Sequence, residues 1–344
     1  MAPGAAVRSR LLRRAAGVVV AATALAVPWA ADDYSISLLA RTLVLGLVGM
    51  SVALLTGVAG LPTLGQTGPY AAAAYTCALL AGHGQQVGVL LVVTGAAVGA
   101  LFGLLTVPLV VHARGVVVLM ITLAIGELVG TAASRWRSVT GGTDGLAALA
   151  PARPVWGAAL LETDRARYLY TLAVVAVVLL AVVALLRTPA GAVLRAGRDD
   201  ERRLRASGHP VPVYLGAAYV LAGAVAGVAG SLLVTVQQYV SPADFDFDTS
   251  ALLLLGVVIG GAASMTGALV GAALVIASRD WLAGVLPGYT PLVLGAAFVA
   301  TAYLFPNGFG GPNPALRRYL AALRGRRPGP TRTTGGAAGQ EAGT

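Results

Sequence analysis

Long apolar runs that are almost free of charge constrain this sequence more than any other feature. Four of them are residues 43–59, 87–111, 169–186 and 215–236. They approach or exceed the ~20 residues that a helix needs to cross ~30 Å of hydrocarbon. The 344-residue chain is 57% hydrophobic and only 11% charged, too few charged side chains to cover a water-soluble globule. Because the runs do not alternate with polar residues, they predict membrane-spanning helices and not barrel strands.

The runs predict an all-α, polytopic transmembrane helix bundle of about ten spans, some of them short or broken. The expected spans are residues 11–31, 37–60, 64–82, 86–111, 114–134, 168–186, 211–237, 250–263, 267–284 and 289–306. With 45 glycines and 6% aromatic residues, the helices are expected to pack through small side chains. The first span also has the basic start and small-residue end of a secretory signal peptide, so cleavage is an alternative.

The basic residues cluster where the apolar runs stop. All 24 are arginine, and most lie in residues 8–14, 187–205 and 317–332. Under the positive-inside rule these three regions share the cytoplasmic side, which places both termini of a multi-pass plasma-membrane protein in the cytoplasm. The membrane thus accounts for the net charge of +10, and no nucleic-acid partner is expected.

The absence of lysine excludes whole classes of chemistry. A P-loop needs its lysine to reach the nucleotide phosphates, and pyridoxal phosphate is held through a lysine amine. His83, His112 and His209 are too scattered to predict a metal site. We therefore expect no catalytic residues, metal or cofactor in this chain.

Two places in the apolar pattern are interrupted by glycine and proline. One is the entrance to the third span, residues 60–69, and the other is the glycine-rich stretch 256–271 of the eighth and ninth spans. Broken helices at membrane depth predict a central pathway, because the freed backbone groups must face protein or water. The alternative is that these glycines only permit close helix packing.

The segment 187–210 is the most charged part of the chain between apolar runs. Thr188 is expected to cap a helix that begins at Pro189, with Gly208 ending the segment and Gly197 dividing it into two short helices. In a helix, its arginines at 195, 198, 202 and 205 share one face. That face could pair with carboxylates of a cytoplasmic partner, or it could lie on anionic lipid headgroups, with Asp199 and Glu201 each pairing with an arginine four residues later.

Acidic residues near the membrane form a second set of candidates. Glu127 lies inside a predicted span, so it is either an ion-coupling site or the partner of Arg41. Asp244, Asp246 and Asp248 lack the glycine turn and distal acid of an EF-hand. We interpret Asp244 and Asp246 as part of an exposed acidic loop and, with Asp144, as candidate contacts for a binding protein.

Several short motifs follow one another in the order of the branched-chain amino-acid ABC transporter permeases. Residues 60–81, GLPTLGQTGPYAAAAYTCALLA, resemble their G-Q-L-S-L-G-Q…G-A-Y-T-A stretch. Residues 140–145, TGGTDG, are similar to the T-G-G-x-x-G element of the M-type subunit, and residues 188–208 resemble the S-P-F-G-R-A-L-R-A-I-R…G loop. Further motifs in family order are Arg114-Gly115, Thr122-Leu123, Gly126-Glu127, Ser241-Pro242 and Gly260-Gly261.

The resemblance implies the permease subunit of an ABC importer for branched-chain or related amino acids. By that resemblance its partners are a second homologous permease, two ABC ATPase subunits that carry ATP and Mg, an extracellular or periplasmic substrate-binding protein, and membrane lipid. Segment 187–210 would be the ATPase-coupling loop. Its candidate residues are Thr188, Pro189, Gly191, Leu194, Arg195, Arg198, Arg202, Arg205 and Gly208. The candidates for the translocation pathway or its gating are Gly65, Gln66, Tyr75, Thr122, Glu127, Gly260, Gly261 and Gly267.

The resemblance covers residues 35–310, which we assign to the transmembrane domain. Residues 1–34 precede it as a basic N-terminus and first helix, and residues 311–344 follow as a basic tail expected to be disordered. Two other functions remain open on the residues alone. One is an ion-coupled secondary transporter that uses Glu127. The other is a membrane-embedded transferase that works at the outer loop, the polar connection of residues 135–167 between the fifth and sixth expected spans.

Overall fold

The computed structural model describes residues 32–285 apart from 148, 149, 156, 158 and 263, together with 24–26, 28, 29, 289, 292, 293, 295, 296 and 299. The expected first and last spans lie mostly outside these residues, and the C-terminal tail lies wholly outside them. Within the described part the chain is helical. In chain order the helices are α1 (Asp33–Ala53), α2 (Thr67–Gly82), α3 (Gly88–Val110), α4 (Val116–Arg135), α5 (Arg137–Thr140), α6 (Asp164–Leu186), α7 (Pro189–Asp199), α8 (Glu201–Ala206), α9 (Val211–Gln237), α10 (Phe247–Gly260) and α11 (Met265–Val285).

Among the described residues, six helices are long and apolar enough to cross a membrane: α1 with its π-helical extension Leu54–Ala59, α3, α4, α6, α9 and α11. The third and eighth expected spans form shorter helices, the 16-residue α2 and the 14-residue α10. The ninth, expected to be short, is the 21-residue α11. The prediction of an all-α bundle is therefore confirmed for the described residues, whereas the number of about ten spans stays a prediction.

Helices α1 and α9 form the centre of the bundle. Their inner faces carry fully buried apolar side chains such as Leu47, Met50 and Leu232. By contrast, α3, α4 and α6 expose large apolar residues, among them Leu105, Leu128 and Leu180. Apolar side chains pointing outward are typical of helices whose surroundings are lipid or another membrane subunit.

Small residues bring α3 and α9 into backbone contact. A Cβ atom added at Gly99 would overlap the carbonyl of Gly223, and one added at Gly227 would overlap the carbonyl of Gly95. The expectation that helices pack through glycine is therefore confirmed at this contact.

Glycines also pack α10 against α11. A Cβ at Gly260 would overlap the carbonyl of Gly267, and one at Gly271 would lie 2.5 Å from the carbonyl oxygen of Gly256. The four glycines of these contacts lie in α10 and α11, so close packing explains them. The stretch 256–271 is nevertheless interrupted between the two helices, where Gly261 takes a φ of +90° before α11 begins at Met265.

The T-G-G-x-x-G element ties the connection after α4 to the end of α9. Thr140 donates its hydroxyl to the carbonyl of Ala133, and Gly145 has a φ of +73° beside the backbone of Val240. Leu146 and Val240 exchange backbone hydrogen bonds of 2.9 and 3.0 Å. The glycine at 145 is needed because a side chain there would overlap the Val240 carbonyl.

Candidate functional site

The chain between α1 and α2 is broken as the glycine and proline pattern predicts. Helix α1 ends in a π-helical turn, Gly60 takes a left-handed φ of +75°, and residues 60–66 are non-helical before α2 begins at Thr67. The amide of Leu61 bonds back to Leu55, and Pro62 has no amide hydrogen. The carbonyl of Gly57 is consequently free to accept a hydrogen bond from outside its own helix.

Polar side chains converge where this broken segment re-enters the bundle. We call Ser51, Gln66, Thr67, Thr122 and Ser250 the interior polar cluster; all five are buried. Thr67 and Ser250 lie 2.9 Å apart between their hydroxyl oxygens, and Ser51 donates to Gln66 Oε1 at 3.4 Å. The Thr122 hydroxyl accepts from the amide of Leu64 at 3.3 Å.

Three of the predicted pathway residues therefore come together. Gly65 packs directly on Thr122, where a Cβ would overlap the Thr122 carbonyl, and Gln66 follows it in the cluster. The Nε2 atom of Gln66 is buried without a hydrogen-bond partner among the described residues. The cluster is thus a set of largely hydrogen-bonded polar side chains inside a membrane-spanning bundle, where a group without a partner, such as Gln66 Nε2, is costly.

The remaining pathway candidates lie elsewhere. Tyr75 is buried two turns further along α2, with its ring centroid 5.7 Å from that of Phe245. Gly260, Gly261 and Gly267 lie at the turn between α10 and α11.

Glu127 does not face the interior. Its side chain is exposed on the outer surface of α4, and within the described part of the chain it forms no ion pair. The suggested pairing of Glu127 with Arg41 is wrong, because Arg41 lies 3.6 Å from Asp244 instead. The sequence places Glu127 one residue after Gly126, and that single step turns it from the buried face to the outer one.

The charged segment forms two helices, α7 and α8, that meet at Asp200. Asp200 has an extended backbone, with φ −156° and ψ 95°, and its side chain accepts a hydrogen bond from the amide of Arg203 at 3.1 Å. Gly197 lies inside α7, so the expected division at Gly197 is wrong. An N-capping aspartate determined the break, and as a result Arg195 and Arg198 belong to α7 while Arg202 and Arg205 belong to α8.

Thr188 is the N-cap of α7, and Pro189 is its first residue, as predicted. The hydroxyl of Thr188, however, donates to the carbonyl of Leu185 at 2.6 Å and does not cap an amide of α7. Gly208, with φ +84°, ends the segment.

Helix α7 is attached to the bundle by its arginines and by Gly191. Arg195 donates to the carbonyl of Leu186 at 2.9 Å, and Gly191 is buried against the backbone of the same residue. Arg198 donates to the free carbonyl of Gly57, and its side chain covers Gly60. Leu194 is partly buried and packs against the hydrophobic core.

Helix α8 is attached through Glu201. The Arg114 guanidinium donates to both carboxylate oxygens of Glu201, at 2.6 and 2.9 Å, and Arg205 donates to the same carboxylate at 2.7 Å. The hydrogen bonds from Arg114 lower the pKa of Glu201 most. Burial opposes them, but the hydrogen bond from Arg205 adds to the lowering, so this pKa lies below its usual value. Sequence reasoning missed the Arg114 contact, which joins residues 87 positions apart.

The internal pairs expected in this segment are partly confirmed. Glu201 does pair with Arg205, four residues later. Asp199 does not pair with Arg203, whose Nε lies 3.7 Å from Asp200. Arg202 and Arg203 are exposed, with 87% of the Arg203 side chain accessible, and they form the outward surface of α8.

The acidic candidates at the other end of the bundle differ in exposure. Asp144 and Asp246 are exposed. The interpretation of Asp244 as exposed is wrong, because only 14% of its side chain is accessible and it accepts from the amide of Ser241 at 3.2 Å. Burial raises the pKa of Asp244, while the Ser241 amide and the Arg41 guanidinium oppose that rise.

Comparison with known proteins gives a consistent result. Residues 34–302 match the family model described as branched-chain amino acid transport system, permease component. The chain is 31% identical over 333 residues to the high-affinity branched-chain amino acid transport system permease protein LivM of Salmonella typhimurium, covering 89% of this chain and 76% of that protein. It is 31% identical over 316 residues to LivM of Escherichia coli, covering 85% and 73%. No solved structure matched the chain.

Proposed function

This chain belongs to the family of branched-chain amino acid transport permease components, and we propose that it forms the solute pathway of an importer driven through α7 and α8. It is a multi-pass, non-catalytic subunit of an ABC transport system. The solute is a branched-chain amino acid or a related one, as in the names of its relatives. The interior polar cluster, at the break between α1 and α2, lines the pathway.

One observation carries the proposal: α7 and α8 are bonded to two of the elements that carry the interior polar cluster, the end of α1 and the chain that leads into α4. Arg198 bonds to Gly57 at the end of α1, three residues before the broken segment begins. Glu201 bonds to Arg114, just before α4, which carries Thr122 of the cluster. A displacement of α7 and α8 would therefore move α1 and α4 together, and with them Ser51 and Thr122 of the cluster.

The partners that would supply this displacement are those that membership of the family implies. Two ATPase subunits bind ATP and Mg and present carboxylates to the exposed arginines of α8, while a second permease subunit completes the pathway. A substrate-binding protein delivers the solute at the opposite face, near Asp144 and Asp246. In this arrangement the chain crosses the plasma membrane about ten times, and both termini and α7–α8 are cytoplasmic.

The docking part of the proposal is tested by Arg202→Glu. Reversing the charge on the outward surface of α8 places like charges at the contact, which should weaken ATPase binding by about tenfold or more. The measurement is the amount of ATPase that co-purifies with the permease, together with leucine uptake in proteoliposomes. Arg165→Glu, an equal charge change on an exposed residue next to the start of α6, is the matched control. Unchanged co-purification and uptake in Arg202→Glu would refute docking.

The transmission part is tested separately by Arg198→Gln. This change removes the charged donor to Gly57 but leaves the exposed face of α8 intact. The variant should retain its ATPases and hydrolyse ATP, yet take up less leucine per ATP than the wild type. Equal uptake per ATP would show that the Arg198 contact transmits nothing.

A further inference from the structure

Four charged side chains and a tyrosine surround a small enclosed cavity between α1, α2, α10 and α11. The cavity has a volume of about 20 Å³, and its polar lining residues are Arg41, Tyr70, Asp244, Thr249, Arg279 and Asp280. Its apolar lining includes Leu45, Leu252 and Ile276. We call the four charged residues and Tyr70 the charged chamber; two positive and two negative groups balance there.

The charged chamber lies far from α7 and α8. Arg41 and Gly57, the residue that bonds to α7, are 16 positions apart on α1, or roughly 24 Å at 1.5 Å per residue. The chamber also adjoins the ends of α9 and α11, through Leu233 and Asp280. It is therefore at the end of the bundle where the proposed function puts solute entry.

Three polar atoms of the chamber are buried without a hydrogen-bond partner among the described residues. They are Nε of Arg41, the hydroxyl of Tyr70 and Oδ2 of Asp280. Tyr70 is fully buried. Arg41 Nε is a donor, Asp280 Oδ2 is an acceptor, and the tyrosine hydroxyl can serve as either. Leaving such groups unpaired is costly, so this cavity is suited to a molecule that both donates and accepts hydrogen bonds, whether a water molecule or the head group of a solute.

The one ion pair that crosses the chamber is weak. Arg41 and Asp244 are 3.6 Å apart, longer than the 2.7–2.9 Å typical of a charge-assisted hydrogen bond. A competing carboxylate could therefore replace Asp244 on Arg41 at little cost. The chamber has room for about one water molecule as it stands, so a larger group can enter only when Arg41 and Asp244 separate.

We propose that the charged chamber binds the α-ammonium and α-carboxylate groups of a zwitterionic amino acid as it enters the pathway. Arg41, with Arg279 beside it, takes the carboxylate, and Asp280 takes the ammonium group. Tyr70 bridges the two, and Leu45, Leu252 and Ile276 receive an apolar side chain. This assignment rests on the proposed function, and it makes the permease itself selective for the head group of the amino acid.

The test uses the complete importer in proteoliposomes and three variants, Arg41→Gln, Tyr70→Phe and Asp280→Asn. Leucine uptake is measured at saturating binding protein, alone and in competition with 4-methylpentanoate, which lacks the ammonium group, and with isopentylamine, which lacks the carboxylate. A lost hydrogen bond to a charged group should lower leucine uptake about tenfold or more in Arg41→Gln and Asp280→Asn. Asp280→Asn should lose discrimination against 4-methylpentanoate, and Arg41→Gln against isopentylamine.

Tyr70→Phe distinguishes a lost ligand contact from misfolding. It removes one oxygen and preserves the ring, whose centroid lies 5.0 Å from that of Phe245. It should reduce leucine uptake without lowering the melting temperature. Asp33→Asn, an exposed carboxylate outside the chamber at the start of α1, is the matched control and should behave as the wild type. If the wild type takes up leucine and the variants keep the wild-type uptake rate and discrimination, the chamber is only structural. The inference then fails while the proposed function stands. If the wild type takes up no amino acid, the proposed function fails with it.

Discussion

At the scale of single residues, two long-range contacts define how α7 and α8 are held. Arg198 reaches the carbonyl of Gly57 because the π-helical end of α1 leaves that carbonyl without a partner in its own helix. Arg114 donates to Glu201 through Nε and Nη2, a two-pronged geometry that lysine could not reproduce. Because every basic residue of this chain other than histidine is arginine, the chain is suited to contacts in which two nitrogens of one guanidinium group bind one carboxylate.

The Glu201 contact should depend on pH in a defined direction. Because its pKa lies below the usual value of 4.5, the contact is fully formed above that value and is lost only as the pH falls through the lowered pKa. With Arg114 40% and Glu201 27% exposed, it contributes about 0.2–1 kcal/mol to holding α8. A spin label at Ala206→Cys should stay immobile as the pH falls through 4.5 and become mobile only at lower pH.

The control for this measurement is Glu201→Gln in the same labelled background. That variant should be mobile at every pH, because the neutral amide cannot pair with Arg114 as an ion. If the label in the wild type becomes mobile at or above pH 4.5, or if the two proteins behave alike, the Glu201 contact does not hold α8.

At the scale of elements, the sequence predicted what depends on neighbouring residues. Local apolar runs, prolines and glycines predict the limits of α3 and α9, the start of α7 at Pro189 and the break before Thr67. Contacts between distant residues could not be read this way. Arg41 meets Asp244 and Arg114 meets Glu201 because of the way the helices pack, and no local pattern encodes that packing.

The glycine contact between α3 and α9 gives a prediction for helix packing. In Gly227→Ala the new methyl group would overlap the carbonyl of Gly95, so the helices must move apart, at a cost of about 1–3 kcal/mol. The expected result is a lower melting temperature of the purified protein in detergent. Gly130→Ala is the control, since no atom lies within 4 Å of its added Cβ, and it should melt at or slightly above the wild-type temperature. Equal melting of both variants would contradict the packing described.

At the scale of the whole molecule, the bundle has two chemically different ends. One end carries α7 and α8 with their exposed arginines, next to the C-terminal end of α1. The other end carries the loop with Asp144 and, near the N-terminal end of α1, the charged chamber. The interior polar cluster lies between them. The fold thus connects a surface suited to an acidic partner with a chamber suited to a zwitterion through a single long helix.

The most direct test of this account is the orientation of α8 in the membrane. Cys77 is the only cysteine and is buried, so single new cysteines can be labelled against a silent background. In intact cells a membrane-impermeant maleimide should label Thr143→Cys, in the exposed loop beside Asp144. Arg203→Cys, at a position of α8 where 87% of the side chain is accessible, should be labelled only after the membrane is permeabilised. Labelling of Arg203→Cys in intact cells, with Thr143→Cys protected, would contradict the account.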